Sequence, residues 1–311
     1  MSIQNTLVNA VTHKLVSKRT NEQMLNVMAT SRMVTEYDKD GNRILNVTVP
    51  DHLTFSQFFV DKMRIETMHT IGKETGRGNQ KIILMFHGGG YLGKITDMYT
   101  KFMIELCNIA PEYKIFSVEY TTSDIAPYPA AYEDALKAWD YLISKGYKSE
   151  NIILLGDSAG GGLALVLGLL LRDTGKKFKA YVGLSPWVNM NCTSKSFTNE
   201  KLRKRDPLFG SNDVLDIMAN KYVGDFDKND YKVSPLYGSF EGFPACYITF
   251  GEYEVLSTDI QELADKMCED AGHHKVIVNV YKKCGHDIHT GVVPETKKAW
   301  RDLGEFISLL G

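Results

Sequence analysis

The chain has 311 residues, of which 43% are apolar and 24% charged, and its formal net charge is −2. This composition is typical of a globular protein with a large core, and the length suits one α/β enzyme domain that carries an insertion. The balanced charge argues against nucleic acid as a partner, and five scattered cysteines without a C-x-x-C pair argue against a disulfide framework or a zinc site.

The N-terminus lacks the continuous apolar core of a secretory signal, because polar residues interrupt it at Asn5, Thr6, Asn9 and Thr12. A second apolar stretch, residues 152–171, contains Asp157, Ser158 and five glycines. Such a stretch is expected to form a buried strand and a helix rather than a membrane span. We therefore expect a cytoplasmic protein without stable membrane insertion.

Helical periodicity dominates the first forty residues, where apolar residues recur from Ile3 to Leu15 and, more loosely, from Met24 to Met33. Both stretches are predicted to be helices. The alternating stretch Phe58–Thr70 predicts one strand near the edge of a sheet. The run Ile82–Phe86 is apolar throughout, which is typical of a strand buried on both faces.

After this first buried strand, helices and strands are predicted to alternate. The further strands are Ile115–Val118, Ile152–Leu155, Tyr181–Leu184, Cys246–Phe250 and Val276–Tyr281. The helices are Met98–Ile109, Ala130–Lys145, Leu163–Arg172, Ile260–Ala271 and Glu295–Leu310. Alternation of this kind indicates βαβ units and therefore an α/β fold with a mostly parallel, doubly wound central sheet.

One interval departs from the alternation. Residues 188–237 contain no convincing buried strand, although Asp213–Tyr222 is predicted to be helical. An insertion of this length between two core strands is the natural position for a cap over a site. We therefore divide the chain into N-terminal helices that contribute to the cap (1–45), a first part of the core (46–187), the cap insertion (188–237) and a second part of the core (238–311).

The sequence Gly156-Asp157-Ser158-Ala159-Gly160 lies between a predicted strand and a predicted helix. In that context G-x-S-x-G forms a sharp turn that exposes the serine oxygen at the edge of the sheet. The helix that follows directs backbone N–H groups at developing negative charge. Ser158 is therefore the predicted nucleophile.

A serine needs a base to take its proton, and the base needs an acid to orient it. Three of the eight histidines, His87, His286 and His289, follow a predicted core strand closely. His286 lies downstream of the serine and before the last helix, which is the order that α/β hydrolases use. His286 is the predicted base; a surface histidine, or a metal site with Asp287 and His289, is the alternative interpretation.

The acid is expected in the loop after the strand Cys246–Phe250. This loop offers Glu252, Glu254 and, slightly further on, Asp259. Periodicity does not separate the three, and Glu254 is the residue that we favour.

His87-Gly88-Gly89-Gly90 follows the buried strand that ends at Phe86. The spacing of a dinucleotide-binding loop and the lysine of a P-loop are both missing, so a phosphate site is not indicated. Consecutive glycine amides can instead point at one small anion, as an oxyanion hole requires. The predicted donors are the amides of Gly88 and Gly89, with that of Ala159 as the third.

Together these motifs resemble the hormone-sensitive lipase family of α/β hydrolases. The resemblance rests on His87-Gly88-Gly89-Gly90-Tyr91 and Gly156-Asp157-Ser158-Ala159-Gly160-Gly161, and it continues through Tyr128-Pro129-Ala130-Ala131-Tyr132-Glu133-Asp134, Leu184-Ser185-Pro186-Trp187 and Ser234-Pro235-Leu236. It implies a serine carboxylesterase with an acyl-enzyme intermediate, acting on small-molecule esters of short to medium acyl chains, without a cofactor or metal. It also implies the roles given above to Ser158, His286 and Glu254, although the family usually has aspartate where Glu254 stands.

Other functions remain compatible with the same residues. An amidase or formamidase would use the same triad, since amide and ester hydrolysis require the same groups. A hydrolase fold that only binds a small ligand is a third class, but such proteins resembling this family lose the catalytic histidine, whereas His286 is present. The sequence leaves open whether the chain works as a monomer or as a homodimer.

Overall fold

An eight-stranded sheet occupies the centre of the molecule, which we describe from a computed structural model covering residues 3–29 and 35–311. The strands follow the spatial order β1-β2-β4-β3-β5-β6-β7-β8. Their bounds are Leu53–Val60, Met63–Thr70, Lys81–Phe86, Tyr113–Glu119, Ile152–Asp157, Ala180–Leu184, Ala245–Gly251 and Val276–Tyr281 for β1 to β8. Strand β2 is antiparallel to both of its neighbours. All other neighbouring strands in this order, from β4 through β3 to β8, pair in parallel.

The α-helices of the described residues fill the intervals between the strands. Their bounds are Ile3–Val16, Asn21–Ala29, Asp97–Ile109, Ala130–Ser144, Ser158–Asp173, Lys195–Thr198, Glu200–Arg203, Val214–Val223, Ser257–Ala271 and Pro294–Leu309 for α1 to α10. Short 3₁₀ turns lie at Ser149–Asn151, Pro235–Tyr237, His273–Lys275 and Ile288–Thr290. The predicted α/β fold with a mostly parallel sheet and a helical cap is confirmed. Met33, at the end of the second predicted helix, lies outside the described residues.

The prediction of a single strand over Phe58–Thr70 is wrong. This stretch contains the end of β1, a two-residue turn and all of β2. The two strands pair antiparallel as a hairpin, with Val60 opposite Met63. The turn between them contains Asp61 in the left-handed conformation, with φ of 53°. Because its two turn residues are Asp61 and Lys62, without the glycine that usually marks a tight hairpin, the alternation runs through the turn without an obvious break.

The central strands are buried on both faces, as their apolar runs predict. In β3, Ile82, Leu84 and Phe86 pack into one core and Ile83 and Met85 into the other, because successive side chains point to opposite faces. The first core contains α4, α5 and α9, and the second contains α3 and α10. The sheet therefore lies between two helical layers, and the loops after its parallel strands share one edge.

The interval between β6 and β7 contains α6, α7 and α8 and no strand in residues 188–237. Helix α2 packs against α8, so the N-terminal segment and this insertion meet. Met24 of α2 is almost fully buried in that region, at 1% exposure. We call residues 188–237 together with α2 the cap.

None of the helices in the part of the chain that the structure describes is both long enough and apolar enough to cross a membrane.

Candidate active site

The turn between β5 and α5 holds Ser158 in a conformation that few residues adopt. Strand β5 ends at Asp157, the helix begins at Ser158, and Ser158 has φ of 51°. A left-handed conformation at a residue other than glycine costs about 1–3 kcal/mol, and such residues cluster at active sites. The helix thus begins at the serine itself, five residues earlier than its apolar run suggests.

The glycines of the G-x-S-x-G motif allow strand, turn and helix to pack closely. A Cβ atom at Gly156 would lie 2.2 Å from the Gly160 carbonyl oxygen, and one at Gly160 would lie 2.0 Å from the Phe86 carbonyl oxygen. Neither contact is sterically acceptable. Glycine at these two positions brings the end of β3 and the start of α5 together around Ser158.

Three side chains from three separate loops form one hydrogen-bonded chain. His286 Nε2 lies 2.8 Å from Ser158 Oγ, and His286 Nδ1 lies 2.8 Å from Glu254 Oε2. Ser158 and Glu254 are buried, and the His286 side chain is only 5% exposed. The structure therefore brings together the predicted nucleophile, base and acid in the arrangement of a serine hydrolase triad.

Glu254 is fixed by contacts beyond the histidine. Its Oε1 accepts hydrogen bonds from Ser185 Oγ, at 2.6 Å, and from the Gly251 amide. Ser185 Oγ in turn accepts from the backbone N–H of Asp287, at 3.2 Å. One hydroxyl therefore connects the loops that carry the acid and the base, and both oxygens of the buried carboxylate have partners.

The other two candidate acids have different positions. Glu252 lies at the surface, where its Oε1 is 3.2 Å from Arg205 Nη2. Asp259 is buried but accepts hydrogen bonds from Asn189 and Ser194. Neither carboxylate contacts His286 in the described structure.

His87 and His289 also have surroundings unlike those of a general base. Burial lowers the pKa of each to about 4, so both are neutral at physiological pH. His87 donates from Nδ1 to the Gly88 carbonyl and stacks on Tyr120, with ring centroids 4.3 Å apart. His289 meets Trp300 edge to face. Both rings serve packing.

Negative charge surrounds His286 on both sides of its ring. Burial lowers the pKa of this histidine, but the carboxylates of Asp287, Glu254 and Asp206 together outweigh burial and raise its pKa above the ordinary value. Asp287 Oδ2 lies 3.4 Å from Nε2, the nitrogen that faces Ser158. The site therefore favours the protonated, imidazolium form of His286.

The H-G-G-G loop lies beside Ser158, but its first glycine amide has another role. The backbone nitrogen of Gly88 lies 3.0 Å from Asp157 Oδ1 and 2.7 Å from the hydroxyl oxygen of Tyr99, and its N–H donates to both. The Tyr99 hydroxyl itself donates to Asp157 Oδ2. The prediction of Gly88 as an oxyanion donor is therefore corrected, because its proton is already engaged beneath the loop. Burial raises the pKa of Asp157 to about 6.

The next two amides of this loop differ from that of Gly88. Gly89 and Gly90 have φ of 103° and 63°, and within the described residues neither amide has a hydrogen-bond partner. Ala159 lies in the first turn of α5, where N–H groups have no acceptor inside the helix. Three amides beside Ser158 are thus free to bind an anion.

A cavity of about 240 Å³ opens onto these groups. It is lined on one side by the glycine loop, Ser158 and His286, and on the other by cap residues, namely Leu208, Phe209, Leu215 and Met218. This volume is below the roughly 300–1,000 Å³ of sites that hold drug-sized ligands. The described residues contain no group of three or more side chains able to hold a metal ion.

The sequence predicted the three side chains that the structure brings together, but it gave no sign of the groups that hold them and the glycine loop in place. Ser185 donates to Glu254, whereas Asp157 and Tyr99 contact the Gly88 amide. Ser185 and Asp157 occur within the motifs that carried the family resemblance, and that position was the available signal. Tyr99 lies in α3, where the sequence shows only an amphipathic helix.

The fold and the site define a serine hydrolase of the α/β class, and comparison with known proteins specifies the family. The profile of a family with the alpha/beta hydrolase fold matches residues 83–290. An acetyl-hydrolase of Streptomyces hygroscopicus is 31% identical over 235 residues, 74% of this chain and 76% of that protein.

Solved structures agree with the sequence comparison. An esterase/lipase from an uncultured bacterium matches with a TM-score of 0.81 at 25% identity, over 100% of this chain and 99% of the other. An esterase of the bacterial hormone-sensitive lipase family matches with a TM-score of 0.76 at 25% identity, over 94% and 98% of the two chains. The chain belongs to the α/β-hydrolase family, within its hormone-sensitive lipase-like group.

Proposed function

We propose that this protein is a serine carboxylesterase whose nucleophile, base and acid are Ser158, His286 and Glu254. The observation that carries the proposal is the unbroken hydrogen-bond chain from Ser158 Oγ through the imidazole to Glu254, with 2.8 Å at each step. Membership of the family and the names of its relatives support hydrolysis of carboxylic esters. The chain is a carboxylic ester hydrolase, and the triad is its proposed machinery.

The first half of the reaction transfers the acyl group to the enzyme. Ser158 Oγ attacks the ester carbonyl carbon while His286 Nε2 takes the hydroxyl proton. Glu254 holds the imidazole in the tautomer that leaves Nε2 free and stabilises the cation. When the tetrahedral intermediate collapses, the imidazolium returns its proton to the departing alcohol oxygen, and the acyl group remains on Ser158.

The second half repeats the chemistry with water. His286 takes a proton from the water molecule that attacks the acyl-enzyme, and then protonates Ser158 Oγ as the carboxylic acid leaves. No group outside the triad and the oxyanion donors is required for either half.

The negative oxygen of each tetrahedral intermediate is assigned to the amides of Gly89, Gly90 and Ala159. This assignment replaces Gly88 by Gly90, since the Gly88 N–H donates to Asp157 and Tyr99. Losing one preorganised donor of this kind typically reduces kcat about 10²–10³-fold.

The size of the cavity supports substrates with short acyl chains. A volume of about 240 Å³ must hold both the acyl group and the alcohol, and the cap residues that face Ser158 are bulky and apolar. One relative in the comparison is named an acetyl-hydrolase. Acetyl and other short acyl esters are therefore the expected substrates, ahead of medium-chain esters.

The test compares wild type with Ser158→Ala on nitrophenyl esters of increasing acyl length and on a matched anilide. We expect wild type to hydrolyse the short esters fastest and the anilide far more slowly, and Ser158→Ala to lose activity on all of them. Hydrolysis retained by Ser158→Ala would remove Ser158 from the mechanism. Faster cleavage of the anilide than of the matched ester would support an amidase instead.

A further inference from the structure

A second cavity, of about 230 Å³, lies behind the wall of the active-site cavity within the cap. Phe209 and Leu215 line both cavities, so these two side chains form the wall between them. Both are almost fully buried, at 5% and 4% exposure.

The second cavity has both apolar and charged lining residues. Phe197 and Cys192 are apolar or weakly polar. Its other lining residues include Arg203 and Asp213, whose side chains form an ion pair and are 31% and 66% exposed. The cavity therefore leads from the wall to a polar opening on the surface of the cap.

Phe209 is held in place from two directions. Its backbone N–H donates to Asp206 Oδ1 at 2.9 Å, and the other oxygen of this fully buried carboxylate accepts from the Val255 amide at 2.8 Å. Its ring meets the ring of His286 edge to face, with centroids 5.4 Å apart. Phe209 is thus connected through Asp206 to the loop that carries Glu254, and its ring contacts His286 directly.

We propose that Phe209 sets the upper limit on substrate length by closing the active-site cavity against the second cavity. This inference rests on the proposed esterase function. A substrate chain that extends from Ser158 toward the cap ends at the Phe209 ring. Removing the ring would let a longer chain pass into the second cavity and toward its polar opening.

The experiment measures kcat/KM of wild type, Phe209→Ala and Phe197→Ala on two ester series. One series lengthens the acyl group of nitrophenyl esters from acetyl to octanoyl, and the other lengthens the alcohol of alkyl acetates over the same range. In Phe209→Ala the ratio of octanoyl or octyl ester to the shortest ester is expected to rise roughly tenfold or more in one series, because a few accommodated methylenes are worth that much. The series that responds identifies which end of the substrate faces the wall.

Phe197→Ala makes the same substitution on the far side of the wall and is expected to leave both profiles as in wild type. Leu208→Ala widens the first cavity without joining the two, and is expected to shift the optimum by much less. Phe209→Leu provides a smaller opening should the alanine variant fold poorly, and it should shift the ratio in the same direction. Unchanged ratios in both Phe209 variants, or an equal shift in Leu208→Ala, would overturn the proposal.

Failure of this inference is distinguishable from failure of the proposed function. If wild type cleaves acetyl esters and Ser158→Ala does not, while the Phe209 variants keep the wild-type profile, the esterase stands and the wall has no role in length selection.

Discussion

His286 has a carboxylate near each of its ring nitrogens, and only one of them belongs to the proposed triad. Glu254 Oε2 contacts Nδ1 at 2.8 Å, whereas Asp287 Oδ2 lies 3.4 Å from Nε2, close to Ser158 Oγ. In its ionised form Asp287 favours the imidazolium from the side of the ring that faces Ser158. Burial raises the pKa of Asp287 well above its ordinary value, whereas the positive charge of His286 lowers it and so favours the carboxylate.

Replacing Asp287 by asparagine is expected to extend activity to lower pH. A nearby carboxylate favours the protonated histidine and so raises its pKa, and an opposite charge this close shifts a pKa by roughly 1–3 units. In Asp287→Asn the acidic limb of the kcat/KM profile should move to lower pH by about one pH unit. Glu254 and Asp206 then remain as the carboxylates that raise the pKa of His286. Asp140→Asn, at the surface of α4, serves as the control. An unmoved limb, or one displaced to higher pH, would contradict this role.

Glu254→Gln should give a different result from Asp287→Asn. The amide keeps the size of the side chain but lacks the charge and no longer enforces the reactive tautomer, so kcat is expected to fall about 10⁴-fold. Its pH limb should also move down, because the pKa of His286 is raised by Glu254. Glu252→Gln, in the same loop but paired with Arg205 at the surface, should retain nearly full activity. Equal losses of kcat in Glu254→Gln and Glu252→Gln would show that activity depends on the structure of the loop rather than on the charge of Glu254.

At the scale of elements, the G-x-S-x-G turn and the H-G-G-G loop depend on each other through Asp157. Its two carboxylate oxygens accept from the Gly88 amide and from the Tyr99 hydroxyl. The turn that presents the proposed nucleophile therefore also holds the loop that is assigned to bind the oxyanion. Variation at the second residue of this G-x-S-x-G motif affects the alignment of both.

Asp157→Ala is expected to lower kcat about 10²-fold with a smaller change in KM, because a displaced oxyanion loop loses stabilisation of the transition state more than of the ground state. The unfolding temperature should change little, since alanine also removes the cost of burying a carboxyl group whose pKa is raised to about 6. Asp173→Ala, at the opposite end of helix α5 from Asp157, is the matched control. A rise in KM at constant kcat would instead assign Asp157 to substrate binding.

The elements and the residues of the proposed triad could be predicted because each depends on local pattern. Ser158 and His286 both follow predicted strands of the βαβ repeat, so their positions at one edge of the sheet follow from that repeat. The hairpin at Asp61 could not be recognised, since neither turn residue is a glycine. Contacts such as Tyr99 to Asp157 join residues 58 positions apart, and only the packing of α3 on the sheet brings them together.

At the scale of the whole molecule, a buried ion cluster ties the N-terminal hairpin to the core. Glu66 of β2 is fully buried and binds Arg43 through two hydrogen bonds of 2.8 Å. Arg43 also contacts Asp97 at the start of α3, and Arg64 lies 3.5 Å from Glu66. Residues that precede the region matched by the family are therefore part of the same folded unit.

Glu66→Ala is expected to reduce the free energy of unfolding by about 3–5 kcal/mol, because it leaves two buried guanidinium groups without their shared partner. Urea unfolding followed by tryptophan fluorescence would measure the change. Glu74→Ala removes a largely solvated carboxylate that pairs with His69, and should cost less than about 1 kcal/mol. A loss for Glu66→Ala no greater than that of the control would mean that the cluster does not hold the hairpin.

The molecule as a whole directs three loops of the sheet and the cap toward one oxygen atom, Ser158 Oγ, and the proposed mechanism requires that atom to become acylated. The most direct measurement is rapid quenching of the enzyme during turnover of nitrophenyl acetate, followed by peptide mass spectrometry. We predict a mass increase of one acetyl group on the peptide containing Ser158, absent in Ser158→Ala. Full turnover without that adduct, or an acetyl group carried stably on another residue, would contradict the proposed acyl-enzyme on Ser158.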